Sequence, residues 1–109
     1  MVMEPRLDYE RSLALHHEVG RLLIEDSRVL DRARAKLEQW IAQGGRSLPL
    51  LLEWRDVLAR SPEEVAQFLA ERSERAAWLR SASPFAGVLD PQTRRTILRA
   101  IRQQLESHA

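Results

Sequence analysis

The stretch SRVLDRARAKLEQWIAQGG, residues 27–45, decides the fold class of this chain. Its apolar residues recur every three or four positions, which places them on one face of a helix; they are Leu30, Ala33, Leu37, Trp40 and Ile41. The opposite face is charged, with Arg32, Arg34 and Glu38. Two glycines follow, and glycine adopts the left-handed conformation of a helix C-cap without strain. The stretch therefore predicts an amphipathic helix from Ser27 or Arg28 to Gln43.

The same periodicity extends through the rest of the chain. It predicts further helices over about 8–25, after Ser47, from Ser61, over 74–80 and from Asp90 onward. Asp8, Ser61 and Asp90 are the expected N-caps. Strand signals are nearly absent, because no segment alternates apolar and polar residues for long. We therefore expect an all-α fold, a compact bundle of five to six short helices in a single domain spanning residues 1–109, with at least about 60% helix.

Two sequence features predict details of the packing. Gly20 lies inside the first predicted helix, where glycine costs about 1 kcal/mol relative to alanine. We attribute it to a close helix crossing at which a side chain would clash. The three tryptophans, Trp40, Trp54 and Trp78, each fall on an apolar face and are expected in the core.

Composition excludes several classes of protein. The 109 residues are 44% apolar and 30% charged, which is ordinary for a soluble globular domain. With no cysteine, the chain has no disulfide, thiolate nucleophile or cysteine-based zinc site. The longest aliphatic run, Leu50–Leu52, is too short to span a membrane, and the first residues lack the apolar stretch of a signal peptide. We expect a cytoplasmic protein with no membrane partner.

Charge is unevenly distributed along the chain. Residues 1–71 carry 10 basic and 13 acidic groups, a net charge of −3, whereas residues 72–109 carry 7 basic and 3 acidic groups, a net charge of +4. Such a polarised protein can present a complementary face to a partner. Of the 17 basic residues, 16 are arginine, a usage that itself says little about nucleic-acid binding.

The last predicted helix carries a row of arginines. Arg95, Arg99 and Arg102 follow the spacing i, i+4 and i+7, and Arg94 lies beside them. No acidic residue occurs from 91 to 105 to balance them. The row is either the solvated face of an amphipathic helix or a site for phosphates or an acidic protein surface. We call these four residues the arginine stripe.

A short apolar segment precedes that helix. Phe85, Val88 and Leu89 lie between Arg80 and the arginine stripe. An apolar centre flanked by arginine is the composition of a protein–protein hot spot, so these residues and Arg80 are predicted to bind a partner. In the alternative, Phe85 closes the core of its own domain.

Three patterns suggest other chemistry. Arg11 and His16 form an Arg-x4-His motif that resembles the signature of HEPN ribonucleases, in which a histidine and an arginine act on the RNA phosphate. The run His16-His17-Glu18 lacks the i, i+4 spacing of helical metal ligands, and we predict no metal site. Residues 62–80 partly match a helix-turn-helix, although we favour a plain helical hairpin.

The chain also resembles a group of small, mostly uncharacterised bacterial helical proteins. The resemblance spans roughly residues 9–105 and is most specific at Ser83-Pro84-Phe85-Ala86-Gly87-Val88-Leu89; its other parts are Leu52-Glu53-Trp54-Arg55-x-Val57-Leu58, Leu79-Arg80 and Arg94-x-x-Ile97-Leu98. Such proteins often form the small partner of a two-gene module, as antitoxins do.

These observations rank the functions. First is a non-enzymatic, antitoxin-like module that binds and neutralises or regulates a cognate protein, such as a toxin encoded beside it. Second is a nucleic-acid-binding transcriptional regulator that uses the arginine stripe or the helix-turn-helix. Third is a HEPN-type ribonuclease. The first of these functions requires no catalytic residue, no metal and no cofactor. It is compatible with a homodimer.

Overall fold

Six helices make up the described part of the chain. The computed structural model describes residues 4–45 and 47–107. The helices are α1 (Glu4–Glu25), α2 (Ser27–Gln43), α3 (Leu48–Leu58), α4 (Pro62–Leu69), α5 (Glu74–Arg80) and α6 (Pro91–Ser107). The structure is 79% helical, and no strand occurs among these residues. The prediction of an all-α bundle of five to six helices is therefore confirmed.

Side-chain caps set most of the helix starts. Ser61 and Glu64 form the capping box of α4, in which each side chain accepts from the other residue's backbone N–H. The Asp90 carboxylate accepts from the backbone N–H of Thr93 at 2.8 Å and so caps α6. Both caps confirm the prediction. Asp8 is not a cap, because α1 already begins at Glu4.

Two helix ends show how the backbone carbonyls are satisfied. Gly44 ends α2 with a φ of 71°, and its N–H donates to the carbonyl of Ile41 at 3.0 Å. At the end of α3, the Arg34 Nε donates to the Leu58 carbonyl at 2.7 Å. An arginine at this place also complements the negative end of the helix dipole.

The core centres on Trp54. Its ring is fully buried, and its Nε1 donates to the Leu79 carbonyl at 2.7 Å. Phe68 and Phe85 meet the indole edge-to-face, with centroids 5.9 and 6.1 Å away. These contacts tie α3, α4, α5 and the following loop into one apolar cluster.

The other tryptophans differ from Trp54. Trp40 is half-buried against the core, but Trp78 is 49% exposed, so its predicted burial is wrong. The short helix α5 buries Ala76 and Leu79. Trp78 lies two positions from Ala76, which turns it to the opposite side of the helix.

Helix α1 is the scaffold for the rest, since α2, α4, α5 and α6 all pack against it. Its crossing with α4 is close at Gly20, where an added Cβ would lie 3.3 Å from the Ala66 Cβ and 3.4 Å from its Cα. The predicted crossing at Gly20 is confirmed. Helix α6 rests on α1 without one fully buried side chain.

Candidate functional site

The loop between α5 and α6, residues 81–90, is folded onto the core. Phe85 is only 3% exposed and packs edge-to-face on Trp54. Its prediction as a partner-binding residue is therefore wrong for the folded chain, because its ring already fills the domain's own core. The alternative, that Phe85 closes this core, is what the structure shows.

A chain of hydrogen bonds holds this loop on α1. The His16 Nδ1 lies 2.7 Å from the Ser12 carbonyl oxygen, which only accepts, so Nδ1 carries the proton. The His16 Nε2 then accepts from the Ser83 hydroxyl at 2.8 Å. The Ser83 Oγ in turn accepts the N–H of Phe85 at 3.1 Å. Burial lowers the pKa of His16, and the nearby charge of Arg80 lowers it too, so the histidine is neutral at pH 7.

Arg80 is also largely buried. It is 4% exposed, and its Nη1 donates to the carbonyls of Glu71 at 2.9 Å and Leu69 at 3.4 Å. These carbonyls lie at the end of α4, so Arg80 caps that helix from α5. The guanidinium also lies over the Tyr9 ring at 5.6 Å. Arg80 therefore joins α4, α5 and α1, and its predicted contact with a partner stays a prediction.

Arg80 keeps unsatisfied donors despite these contacts. Its Nε and Nη2 are buried and have no hydrogen-bond partner. Desolvation lowers its pKa, as expected for a cation withdrawn from water.

Val88 and Leu89 are half-buried against the core. Gly87, with a φ of 85°, turns the chain just before them. Lys36 of α2 donates from Nζ to the Ala86 carbonyl at 2.9 Å and fastens the outer side of the loop. The apolar loop therefore serves mainly as a joint between α1, α2 and α6.

A cleft of about 380 Å³ remains between α1, this loop and the start of α6. Its walls include His16, Arg80, Ser83, Phe85, Leu89 and Arg94. The structure thus brings four of the eight predicted site residues, Arg80, Phe85, Leu89 and Arg94, to one cavity. No aspartate or glutamate lines it among the residues described.

The arginine stripe lies on the surface, as its spacing predicts. All four arginines are exposed on α6, and none forms an ion pair within the described part of the chain. Elsewhere eight arginines pair with carboxylates: Arg11, Arg21, Arg28, Arg34, Arg55, Arg60, Arg72 and Arg75. Helix α6 is therefore a row of positive charge that the domain does not neutralise.

The apolar residues of α6 are only partly covered. Ile97, Leu98, Ile101 and Leu105 are half-buried, and none is fully buried. Among the described residues α6 packs chiefly on α1, and part of its apolar side remains open beside the arginine stripe.

The structure does not assemble the motif shared with HEPN ribonucleases. Arg11 forms an ion pair with Asp8 at 3.9 Å, whereas His16 turns toward Ser83. Arg11 and His16 are five positions apart on α1, so their side chains point in directions that differ by roughly 140° around the helix axis. Both ring nitrogens of His16 are engaged in the loop anchor.

The remaining motifs add no site. No group of three or more histidines, aspartates or glutamates could hold a metal ion within residues 4–45 and 47–107. Helices α4 and α5 form a hairpin over 62–80, and Arg75, on its second helix, pairs with Glu53 at 2.8 Å. An arginine engaged in this way is not free to contact a base edge.

Sequence reasoning missed the anchor formed by His16 and Ser83. The two residues are 67 positions apart, and nothing in the local pattern of either indicates the other. The i, i+4 relation of Ser12 and His16 on one helix was the only local signal.

No known protein family, characterised protein or solved structure matches this chain at a significant level. None of the helices over residues 4–45 and 47–107 has the length and apolar character needed to cross a membrane.

Proposed function

We propose that this protein is a non-enzymatic binding module that docks its last helix on an acidic surface of a partner protein. The partner that we propose is the product of the neighbouring gene, in the manner of an antitoxin and its toxin. The unneutralised arginine stripe of α6 is the observation that carries this proposal.

The arginine stripe differs from most other arginines of the surface, which are paired with carboxylates. Eight other arginines have a carboxylate within 4.0 Å, so the chain neutralises most of its exposed cations internally. Along α6 no acidic residue precedes Glu106. Four like charges on one helix repel one another, and a complementary partner relieves that repulsion.

The half-covered apolar residues of α6 favour a protein partner. Protein interfaces combine an apolar centre with arginines that form bidentate pairs with carboxylates at the rim. Leu98 and Leu105 are half-buried and each follows an arginine of the stripe by three positions, so one helix provides both parts. A second copy of this chain is a less suitable partner for α6, because two arginine stripes of the same charge would face each other.

The place of the protein in a two-gene module rests on its resemblance to small bacterial helical proteins. The most specific segment of that resemblance, residues 83–89, is the loop that joins α1, α2 and α6. This segment supports the α6 surface rather than forming it, since Phe85 and Ser83 are buried.

Co-purification tests the proposal. The tagged chain is expressed together with the product of its neighbouring gene, as the wild type and as Arg95→Glu combined with Arg99→Glu. We expect the neighbour to elute with the wild type and to be lost from the double variant. Arg28→Glu combined with Arg32→Glu makes the same charge change on α2 and should retain it.

A neighbour that does not elute with the wild type would contradict the two-gene assignment. Retention by the Arg95→Glu and Arg99→Glu variant would show that another surface binds.

The same stripe favours nucleic acid as a second candidate. Arginines without internal partners attract backbone phosphates, and such binding weakens steeply as salt is raised. Gel-shift titration of the isolated chain on duplex DNA and on RNA, at two salt concentrations, separates this candidate from a protein partner. Tight complexes with a steep salt dependence that vanish in the double variant would support it.

A further inference from the structure

We propose that the cleft between α1, the 81–90 loop and α6 binds a single oxyanion, the phosphate or carboxylate group of a small ligand or of an acidic side chain. This site shares Arg94 with the arginine stripe, but it lies in the cleft rather than along α6, and it can be tested on the chain alone.

The cleft is lined by positively charged side chains. Arg80 and Arg94 both line it, and neither forms an ion pair within the described residues. The cavity walls hold no carboxylate there. His16, the third titratable group in the walls, is neutral at pH 7 because burial lowers its pKa. Two positive charges therefore line a partly open cleft whose walls carry no carboxylate among the described residues.

Arg80 is buried with two donor nitrogens unsatisfied. It is nine-tenths buried, yet its Nε and Nη2 donate to no acceptor. A buried cation with two unsatisfied donor nitrogens and no ion pair among the described residues is costly, and folded proteins ordinarily avoid it. The two Nη1 bonds fix the guanidinium in the wall of the cleft, so an anion would meet a preorganised cation.

The volume of the cleft fits a small anion. A cavity of about 380 Å³ lies at the small end of ligand sites, large enough for a phosphate or a carboxylate with a short stem. The apolar side chains of Leu15, Phe85 and Leu89 would strengthen the attraction, since they replace part of the water around the charges.

The test uses two neighbouring arginines of α6. Inorganic phosphate and, separately, acetate are titrated into the isolated chain, and binding is followed through the imidazole NMR signals of His16. We expect a saturable shift and a rise in the pKa of His16 with the bound anion, because a nearby negative charge favours the protonated ring. Arg94→Gln should weaken binding at least about tenfold, and Arg95→Gln, equally exposed but outside the cleft, less than about twofold.

The outcomes are distinct. Saturation with phosphate alone would identify a phosphate-bearing ligand, and saturation with acetate would identify a carboxylate; either supports the site. No saturable shift with either anion, or equal weakening by both substitutions, would overturn it. Because no partner is present, failure here leaves the docking of α6 untouched, and failed co-purification leaves this site untouched.

Discussion

Phe85 is the residue whose structural position differs most from its predicted role. Its ring is 3% exposed and meets Trp54 at 6.1 Å, within the aromatic cluster that also contains Phe68. We expect Phe85→Ala to reduce the free energy of unfolding by about 3–5 kcal/mol, because it removes buried apolar surface and leaves a cavity. Urea denaturation followed by far-UV circular dichroism measures the loss.

Trp78→Ala is the control for Phe85→Ala. Trp78 is 49% exposed, so its removal should change the free energy of unfolding by no more than about 0.5 kcal/mol. A Phe85→Ala variant as stable as Trp78→Ala would show that the loop is not part of the core.

The pH dependence of stability should report on His16. Its pKa is lowered in the folded state by burial, so the unfolded chain binds more protons near neutrality than the folded chain. Full stability is therefore present above the unfolded pKa of about 6.5, and it declines as the pH falls through 6.5 toward the lowered folded value. Denaturation midpoints measured between pH 7.5 and pH 5.5 should fall accordingly.

Substitution of each histidine isolates this effect. His16→Gln should be less stable at pH 7.5, since the Ser83 anchor is disturbed, but its stability should no longer depend on pH in that window. His17→Gln, at an exposed position of the same helix, should keep the dependence. A pH dependence unchanged in His16→Gln would assign it to another group.

At the scale of helices, the crossing of α1 and α4 is set by two small residues. Gly20→Ala gains up to about 1 kcal/mol of helix propensity, but the new Cβ would lie only 3.3 Å from the Ala66 Cβ, which is tighter than an ordinary contact. The Ala66 Cβ is fixed to its backbone, so this contact is relieved only if the helices separate. We therefore expect Gly20→Ala to lower stability by about 1 kcal/mol despite its better propensity.

The control is the double variant in which the residues at positions 20 and 66 are exchanged. Ala66→Gly alone should also lose about 1 kcal/mol, through propensity. The double variant Gly20→Ala with Ala66→Gly should return to within about 0.5 kcal/mol of the wild type, because it restores one Cβ at the crossing. Additive losses would mean that the two positions do not share a contact.

Helix boundaries were predictable where a local cap defines them. Ser61 with Glu64, Asp90 and the Gly44 turn are short-range signals, and the structure places helix ends at all three. Asp8 failed as a cap because a helix can begin at any earlier residue that tolerates its first turn. Trp78 failed because the periodicity of a seven-residue helix does not determine which of its apolar residues face the core.

Across the whole molecule, charge organises the surface. The arginine stripe was visible in the sequence because its spacing lies within one helix. The cleft was not, because it joins α1 to a loop 67 positions away through His16 and Ser83. A site built from distant segments requires the packed fold before its members can be recognised.

The stripe should contribute little to stability, since its arginines form no ion pairs within the described fold. We expect Arg95→Glu combined with Arg99→Glu to keep the melting temperature of the isolated chain within about 3 °C of the wild type. Differential scanning calorimetry measures this. A drop well beyond that range would assign the stripe to folding rather than to binding.

The dissociation constant for the product of the neighbouring gene, measured by isothermal titration calorimetry, tests the docking of α6 most directly. We predict that Arg95→Glu combined with Arg99→Glu weakens binding by about 2 kcal/mol or more, roughly thirtyfold, while the chain stays folded. We also predict that Arg28→Glu combined with Arg32→Glu leaves the dissociation constant within about threefold of the wild type. Equal affinity of the wild type and the Arg95→Glu and Arg99→Glu variant would contradict the docking of α6.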